Sequence, residues 1–317
     1  MSNLLELREN IKRIYGKYEI YITPVLKFLL TLVAILMINT ELGYMSILKN
    51  VFVVLMASLA CAVLPWGFSL AISALFIVGH IYAMAMECAI VAVAIFALMF
   101  LLYFRFTPKD ALVVLLTPIC FFLKVPYLIP ICVGLVGTPV GVVSVSCGVV
   151  AHYMIDSVSE SALAMVGTEG EASSKLRIML EGIMGNTTMV ITLFSFIVTV
   201  LVVYIIRRMS IDYSWTIAMI TGAIINAIIL LIGDLLLDTK ISIIWLLIGS
   251  VLAVLVAKVL QFFVFNVDYS RTERVQFEDD EYYYYVKAVP KSVITGSDKK
   301  VKHFHKNEEK DRLTKKK

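Results

Sequence analysis

Ionisable and hydrogen-bonding side chains inside long apolar runs are the residues of this chain that could do chemistry. His152 and Asp156 are spaced i, i+4, so on a helix they share one face. Two such ligands could begin a metal site, but no HExxH pattern and no third ligand accompany them. A hydrogen-bonded His–Asp pair at an outer membrane surface is the favoured interpretation. We therefore expect neither a bound metal nor another cofactor.

Asn226 lies midway along a later apolar run, where it could join helices or contact a solute. Asp234 and Lys258 occupy the last two runs and would form a salt bridge only if they met at one depth. The turn between those runs falls near 238–239, so Lys258 would lie some 20 Å deeper than Asp234, at about 1.5 Å per residue. We expect Lys258 to extend to the membrane surface instead.

Helix-breaking residues are concentrated in one apolar stretch, TPICFFLKVPYLIPICVGLVGTPVG, residues 117–141. Five of the chain's eight prolines lie between 108 and 139. Broken helices build solute sites in many transporters, because freed backbone N–H and C=O groups point at the ligand. The alternative is that these residues only kink tightly packed helices.

Two Thr-Pro pairs within this stretch, 117–118 and 138–139, strengthen the first interpretation, since a threonine hydroxyl can bond a carbonyl near a proline. If 108–141 forms a solute path, Thr117, Thr138 and Asn226 should border one polar cavity. The predicted path residues are Thr117, Pro118, Thr138, Pro139, His152 and Asn226.

The composition indicates which elements must position these side chains. The 317 residues are 60% hydrophobic and 16% charged, with a mean hydropathy of +0.89, whereas soluble domains are nearer half apolar and a quarter charged. We predict an all-α integral membrane protein. Its domains would be a cytoplasmic amphipathic helix at 1–20, a transmembrane domain at 21–264 that contains an external segment at 157–186, and a cytoplasmic tail at 265–317.

Most Lys and Arg residues lie in four segments: before residue 20, at 105–109, at 207–208 and beyond 265. Basic residues favour the cytoplasmic side, so we expect both termini to be cytoplasmic. Region 109–155 must then cross the membrane an odd number of times, yet it is too short for three spans of about 20 residues. One crossing plus a broken or re-entrant pair fits best, which gives about eight crossings in all.

The tail begins with alternating polar and apolar residues, which predicts a short hairpin at 273–289. Its tyrosine run, Tyr282, Tyr283, Tyr284 and Tyr285, could offer a strand to a cytoplasmic partner. Beyond the hairpin the chain is polar and basic, which predicts a disordered end that either contacts anionic lipid headgroups or is simply solvated. No fold for base recognition is visible, so no nucleic acid is expected.

No Walker A, GxSxG, zincin or kinase pattern is present, so we do not expect an enzyme. The stretches RTERVQFEDDEYYYYVKAVPK and IDYSWTIAMITGAIINAIILLIGDLLLD resemble a group of bacterial multi-pass membrane proteins, sometimes labelled ABC-transporter permeases. The resemblance implies a bacterial plasma membrane and a separate ATPase partner, and assigns no residue a role. Two functions stay open: a permease-like transporter, or a membrane scaffold or envelope-assembly factor that recruits a cytoplasmic partner. The sequence does not indicate the oligomeric state.

Overall fold

The computed structural model of this chain describes residues 2–167, 172–237, 239, 241–264, 273–278 and 281–288. Seven segments within them are long and apolar enough to cross a membrane, so the predicted all-α multi-pass membrane fold is confirmed. The elements are α1 Ser2–Glu41, α2 Val51–Val63, α3 Trp66–Met84, α4 Met86–Phe106, α5 Ala111–Phe122, α6 Leu128–Val136, α7 Gly141–Gly167, α8 Ala172–Met184, α9 Thr187–Arg208, α10 Ser214–Leu237, α11 Ile243–Val264, β1 Glu273–Glu278 and β2 Tyr283–Ala288.

Hydrogen bonds between elements define two ends of the helix bundle. At one end, which we call the Arg105 face, Ser144 of α7 donates to Thr107 at the end of α4, and Arg207 of α9 donates to the carbonyl of Gly137 after α6. At the other end, the Glu41 face, Ser159 of α7 donates to the Glu41 carbonyl at the end of α1. The long helices between these ends alternate in direction.

A buried histidine organises the Glu41 face. His80 near the end of α3 is fully buried, and its Nδ1 accepts a hydrogen bond from the Met45 N–H at 3.1 Å. Its Nε2 lies 2.7 Å from Asn39 Oδ1, which makes Nε2 the protonated nitrogen. His80 therefore acts as a neutral bridge that ties the loop after α1 to α3.

The second apolar run of the sequence, 46–64, contains a helix of only 13 residues. Turns occupy the residues before Asn50, whose side chain caps α2 by accepting from the Phe52 N–H. The 13 residues of α2 rise about 20 Å at 1.5 Å each, less than the hydrocarbon thickness of about 30 Å. Lys27 of α1 donates to the Leu64 carbonyl at the other end of α2, so this helix covers only part of the depth that α1 spans.

The predicted amphipathic helix at 1–20 is continuous with the first span, apart from a break at Tyr18, whose backbone is non-helical. Its apolar residues Leu7, Ile11 and Ile14 are exposed, as a helix on a membrane surface requires. Arg8 is the exception, because it is buried and donates to the Phe262 carbonyl of α11. The Arg8 side chain thus attaches this helix to α11 while these apolar side chains stay outward.

Region 109–155 consists of a re-entrant hairpin followed by one full crossing, as the charge distribution predicts. The arms α5 and α6 have 12 and 9 residues and rise about 18 Å and 14 Å, too little to cross. Both arms have one end at the Arg105 face: α5 begins shortly after Thr107, which lies there, and Arg207 donates to the carbonyl of Leu135 in the last turn of α6 and to that of Gly137 just after it. α7 then makes the crossing.

The hairpin lies between two groups of helices. α5 packs against α1, α3 and α7, whereas α6 packs against α9, α10 and α11. Glycines permit the closest approaches: a Cβ on Gly148 of α7 would lie 2.4 Å from Thr117 Cβ, and one on Gly249 of α11 would lie 2.9 Å from the Tyr127 ring. The broken segment is therefore built into the centre of the molecule.

Candidate functional site

A cavity of about 720 Å³ opens between the hairpin tip and helices α7–α11. It lies towards the Glu41 face, because its lining includes the first turns of α9 and α11 and the last residue of α10. We call it the vestibule. Its lining consists of Phe121, Lys124, Pro126, Tyr127, His152, Tyr153, Asp156, Glu160, Glu181, Gly182, Gly185, Asn186, Thr187, Thr188, Thr192, Leu230, Leu237, Thr239, Ile241, Ser242 and Trp245.

Lys124 at the tip of the hairpin forms part of the floor of the vestibule. Its backbone is in the left-handed region, with φ of 60°, which is costly for a side chain with a Cβ. Two backbone bonds fix this turn, from Lys124 N–H to the Phe121 carbonyl and from Val125 N–H to the Cys120 carbonyl. The Lys124 Nζ lies 4.6 Å from the centre of the Trp245 ring on α11. The turn therefore holds a cation against the α11 wall.

α7 supplies the opposite wall. His152 stacks on Phe121 with ring centroids 4.2 Å apart and planes 17° apart. One turn further along α7 lies Asp156, and another turn on lies Glu160; both line the vestibule. The carboxylates thus rise from the hairpin towards the Glu41 face on one side of the helix.

Hydroxyl and amide groups complete the lining near the Glu41 face. Asn186 caps α9 by accepting from the Met189 N–H at 2.9 Å, and Thr188 and Thr192 follow in the first turns of α9. The hydroxyl of Thr192 lies 3.0 Å from that of Tyr153. Polar groups at this depth need water or a ligand when they face a cavity, so the vestibule is a wet space.

The first predicted Thr-Pro pair lies away from the vestibule. Thr117 is fully buried against Gly148, and its hydroxyl donates to the Val113 carbonyl at 2.7 Å. Pro118 lines a separate apolar cavity of about 60 Å³ among α1, α3, α4, α5 and α7. Both residues therefore shape and pack α5.

The second pair lies at the Arg105 face. Thr138 is exposed in the turn between α6 and α7, and its carbonyl accepts from the Gly141 N–H. Pro139 occupies the same turn and accepts from the Val142 N–H. These carbonyls begin α7, so this pair ends the hairpin at the end of the molecule opposite the vestibule.

Asn226 is fully buried between α9 and α10, where its Oδ1 accepts from Ser195 at 2.6 Å. This contact joins helices, one of the two roles expected for it. The prediction that Thr117, Thr138 and Asn226 border a single polar cavity is wrong, because packing buries two of them and the third lies at the Arg105 face. Among the six predicted path residues, only His152 lines the vestibule.

Asp234 and Lys258 do not meet, as their depths predict. Asp234 accepts from the Thr239 hydroxyl at 2.8 Å near the end of α10. Lys258 donates to the Thr216 hydroxyl at 2.9 Å near the start of α10, at the Arg105 face. The two charges therefore bind at opposite ends of the same helix.

The predicted tail hairpin is confirmed, because β1 and β2 pair antiparallel with Glu273 opposite Ala288. Tyr282, Tyr283 and Tyr285 are 62%, 68% and 77% exposed, and Tyr284 is 37% exposed. The structure thus leaves this run accessible, and its partner-binding role stays a prediction. The basic end beyond 289 lies outside the described residues.

Sequence reasoning missed most of the vestibule. Lys124 carried a readable signal, since it is the only Asp, Glu, Lys or Arg between 111 and 155 and stands beside Pro126. Nothing in the sequence marked Trp245, Tyr153 and Thr192 as lining a cavity, because aromatic residues and threonines are ordinary inside apolar helices. Their convergence depends on how α7, α9 and α11 pack around the hairpin.

No protein-family model, no curated protein and no solved structure matches this chain. The function is therefore inferred from the geometry of the vestibule and the hairpin.

Proposed function

We propose that this protein is a permease-like transport protein whose solute enters the vestibule from the Glu41 face and meets the hairpin tip. The vestibule itself supports this proposal. It has about 720 Å³ of space, its charged and hydroxyl groups come from five segments of the chain, and the tip of the broken-helix hairpin forms its floor. Binding sites of helical transporters combine these features where two groups of helices meet.

A purely structural hairpin would favour a different lining. Backbone N–H and C=O groups outside a helix at membrane depth can find hydrogen-bond partners within the protein, as those of the turn at Lys124 largely do. Such a turn needs neither a cation nor neighbouring carboxylates, both of which are costly unless water or a ligand reaches them. The charged lining therefore supports a solute path over a simple bend.

The proposed orientation places the Glu41 face outside a bacterial plasma membrane and both termini in the cytoplasm. Its support is the distribution of Lys and Arg, with Arg105, Lys109, Arg207 and Arg208 all at the Arg105 face. Within the described residues no element has the form of an ATPase domain. If transport is driven by ATP, a separate ATPase would dock at the Arg105 face.

Flux through liposomes tests the proposal. The purified protein is reconstituted and offered labelled amino acids, short peptides, sugars, nucleosides and inorganic ions, with protein-free liposomes as the baseline. At least one class should cross faster than the baseline. A bulky maleimide on Thr188→Cys should block that flux, whereas the same treatment of the native protein should not, because four of its five cysteines are buried. Equal flux for blocked and unblocked Thr188→Cys would contradict a path through the vestibule.

A scaffold function has one observation in its favour, the exposed tyrosine strand β2 within the tail. Removing residues 265–317 separates the two functions. A transporter keeps its flux per molecule after this deletion, whereas a scaffold loses capture of its cytoplasmic partner. If no solute class crosses with the full chain while the isolated tail captures a partner, the scaffold function replaces the transport function.

A further inference from the structure

We propose that the vestibule binds a zwitterion, a small solute that carries both a carboxylate or phosphate and an ammonium group. This inference names the solute class of the proposed function and rests on it. Its basis is the separation of the two signs of charge onto opposite walls of one cavity.

The positive side lies at the floor and the α11 wall. Lys124 is exposed to the cavity and forms no salt bridge with any described residue. The ammonium contacts the face of the Trp245 ring, and this contact keeps it near the α11 wall.

The negative side lies on the α7 wall and its rim. Asp156 and Glu160 are one turn apart on α7, and Glu181 of α8 lies at the rim, 2.7 Å from the Arg177 Nε. An ionised carboxylate has about four lone-pair sites, so each can accept from a ligand ammonium in addition to a protein donor. A solute ammonium would approach this wall.

Aromatic rings lie between the charged walls. Phe121, Tyr127, Tyr153 and Trp245 all line the vestibule, and the ring of Phe121 lies 5.7 Å from that of Tyr153. These rings suit an apolar side chain or the methylene groups of the solute. An ion of one sign would be attracted by one wall and repelled by the other, whereas a zwitterion satisfies both.

The binding test uses molecules that differ only in charge. Leucine is compared with isocaproate, which lacks the amino group, and with isoamylamine, which lacks the carboxylate; trileucine and glycerophosphoethanolamine represent a larger solute and a lipid headgroup. Calorimetry on the purified full chain in detergent should give an affinity at least tenfold tighter for one of the three zwitterions than for both truncated molecules. Tightest binding of leucine or trileucine assigns the ligand to free solutes, and tightest binding of glycerophosphoethanolamine assigns it to lipid headgroups.

Two variants test the walls separately. Lys124→Met should weaken zwitterion binding at least tenfold and leave isoamylamine binding unchanged or tighter. Glu160→Gln should weaken zwitterion binding and leave isocaproate unchanged or tighter. The matched controls Lys109→Met and Glu41→Gln remove an exposed charge of the same sign outside the vestibule and should bind as the native chain does.

The zwitterion assignment is overturned if either truncated molecule binds as tightly as the zwitterions, if none of the zwitterions binds, or if the wall variants bind as their controls do. None of these results contradicts transport if the liposomes show flux and a maleimide on Thr188→Cys blocks it. Conversely, zwitterion binding without any flux would support the ligand class but contradict the transport function. The protein would then be a membrane protein that binds zwitterions and does not move them.

Discussion

Replacing Gly148 with alanine should force α5 and α7 apart. A Cβ at this position would lie 2.4 Å from Thr117 Cβ and 2.7 Å from Thr117 Oγ1. The Cβ atoms are attached to the backbone, so no change of rotamer relieves the contact and one helix must shift. Because α5 is the first arm of the hairpin, the shift would also move the floor of the vestibule.

The expected cost follows from two opposing effects. Overpacking a tight contact costs about 1–3 kcal/mol, and a separation this short belongs at the upper end. Replacing a helical glycine with alanine returns about 1 kcal/mol. The free energy of unfolding should therefore fall by about 2 kcal/mol, which lowers the midpoint of thermal unfolding by about 4–8 °C at about 2–4 °C per kcal/mol.

A thiol-reactive dye can report this unfolding in detergent, because Cys120 and Cys147 are buried close to the contact. Gly16→Ala is the matched control: nothing lies within 4 Å of a Cβ there, so the same chemical change should leave the midpoint unchanged or raise it. Thr117→Gly removes the facing Cβ, so in the Thr117→Gly, Gly148→Ala double variant the alanine should cost nothing. Equal midpoints for Gly148→Ala and Gly16→Ala would refute the close approach of α5 and α7.

Three further predictions use the same protein. His80→Leu should lower the free energy of unfolding by about 1–3 kcal/mol, since it removes the partner of the half-buried Met45 N–H and of the Asn39 amide oxygen; an unchanged unfolding midpoint would contradict the bridge. Arg207→Gln should destabilise by about 1.5–3 kcal/mol through loss of charge-assisted bonds to α6, whereas Arg208→Gln should have little effect, because the Arg208 contact to Tyr204 is exposed. An impermeant maleimide should label Glu41→Cys in intact cells and Lys109→Cys only after permeabilisation, and the reverse pattern would invert the proposed orientation.

The hairpin could be predicted from sequence because two independent constraints acted on the same residues. Basic residues at 105–109 and 207–208 place both segments on the same side, and the apolar span that ends at 207–208 crosses once, so 109–155 must cross an odd number of times; its length excludes three ordinary spans. Neither constraint needs tertiary contacts. The structure accordingly contains the arms α5 and α6 and the crossing α7 in that region.

The vestibule could not be predicted in the same way, because its lining depends on how helices rotate about their axes. Thr117 was expected to face a solute as a polar residue beside a proline, yet it faces Gly148, where the absence of a side chain accommodates it. Asn226 was expected midway along an apolar helix and lies midway along α10, but the Ser195 hydroxyl of α9 donates to its side-chain oxygen. Residue type and depth are readable from sequence, whereas the direction of a side chain is set by its neighbours.

The position of Lys124 connects the hairpin to the cavity. A turn fixed in the left-handed region is easiest with glycine, and an apolar residue would avoid the cost of a charge within the membrane, yet a lysine occupies it. The cavity leaves room for the hydration that this ammonium needs, and the Trp245 ring provides a further favourable contact. Lys124→Gly would relieve the backbone strain and remove the charge, so a structural turn predicts a more stable protein with unchanged flux. The solute-binding turn proposed here predicts a gain in stability together with a loss of flux.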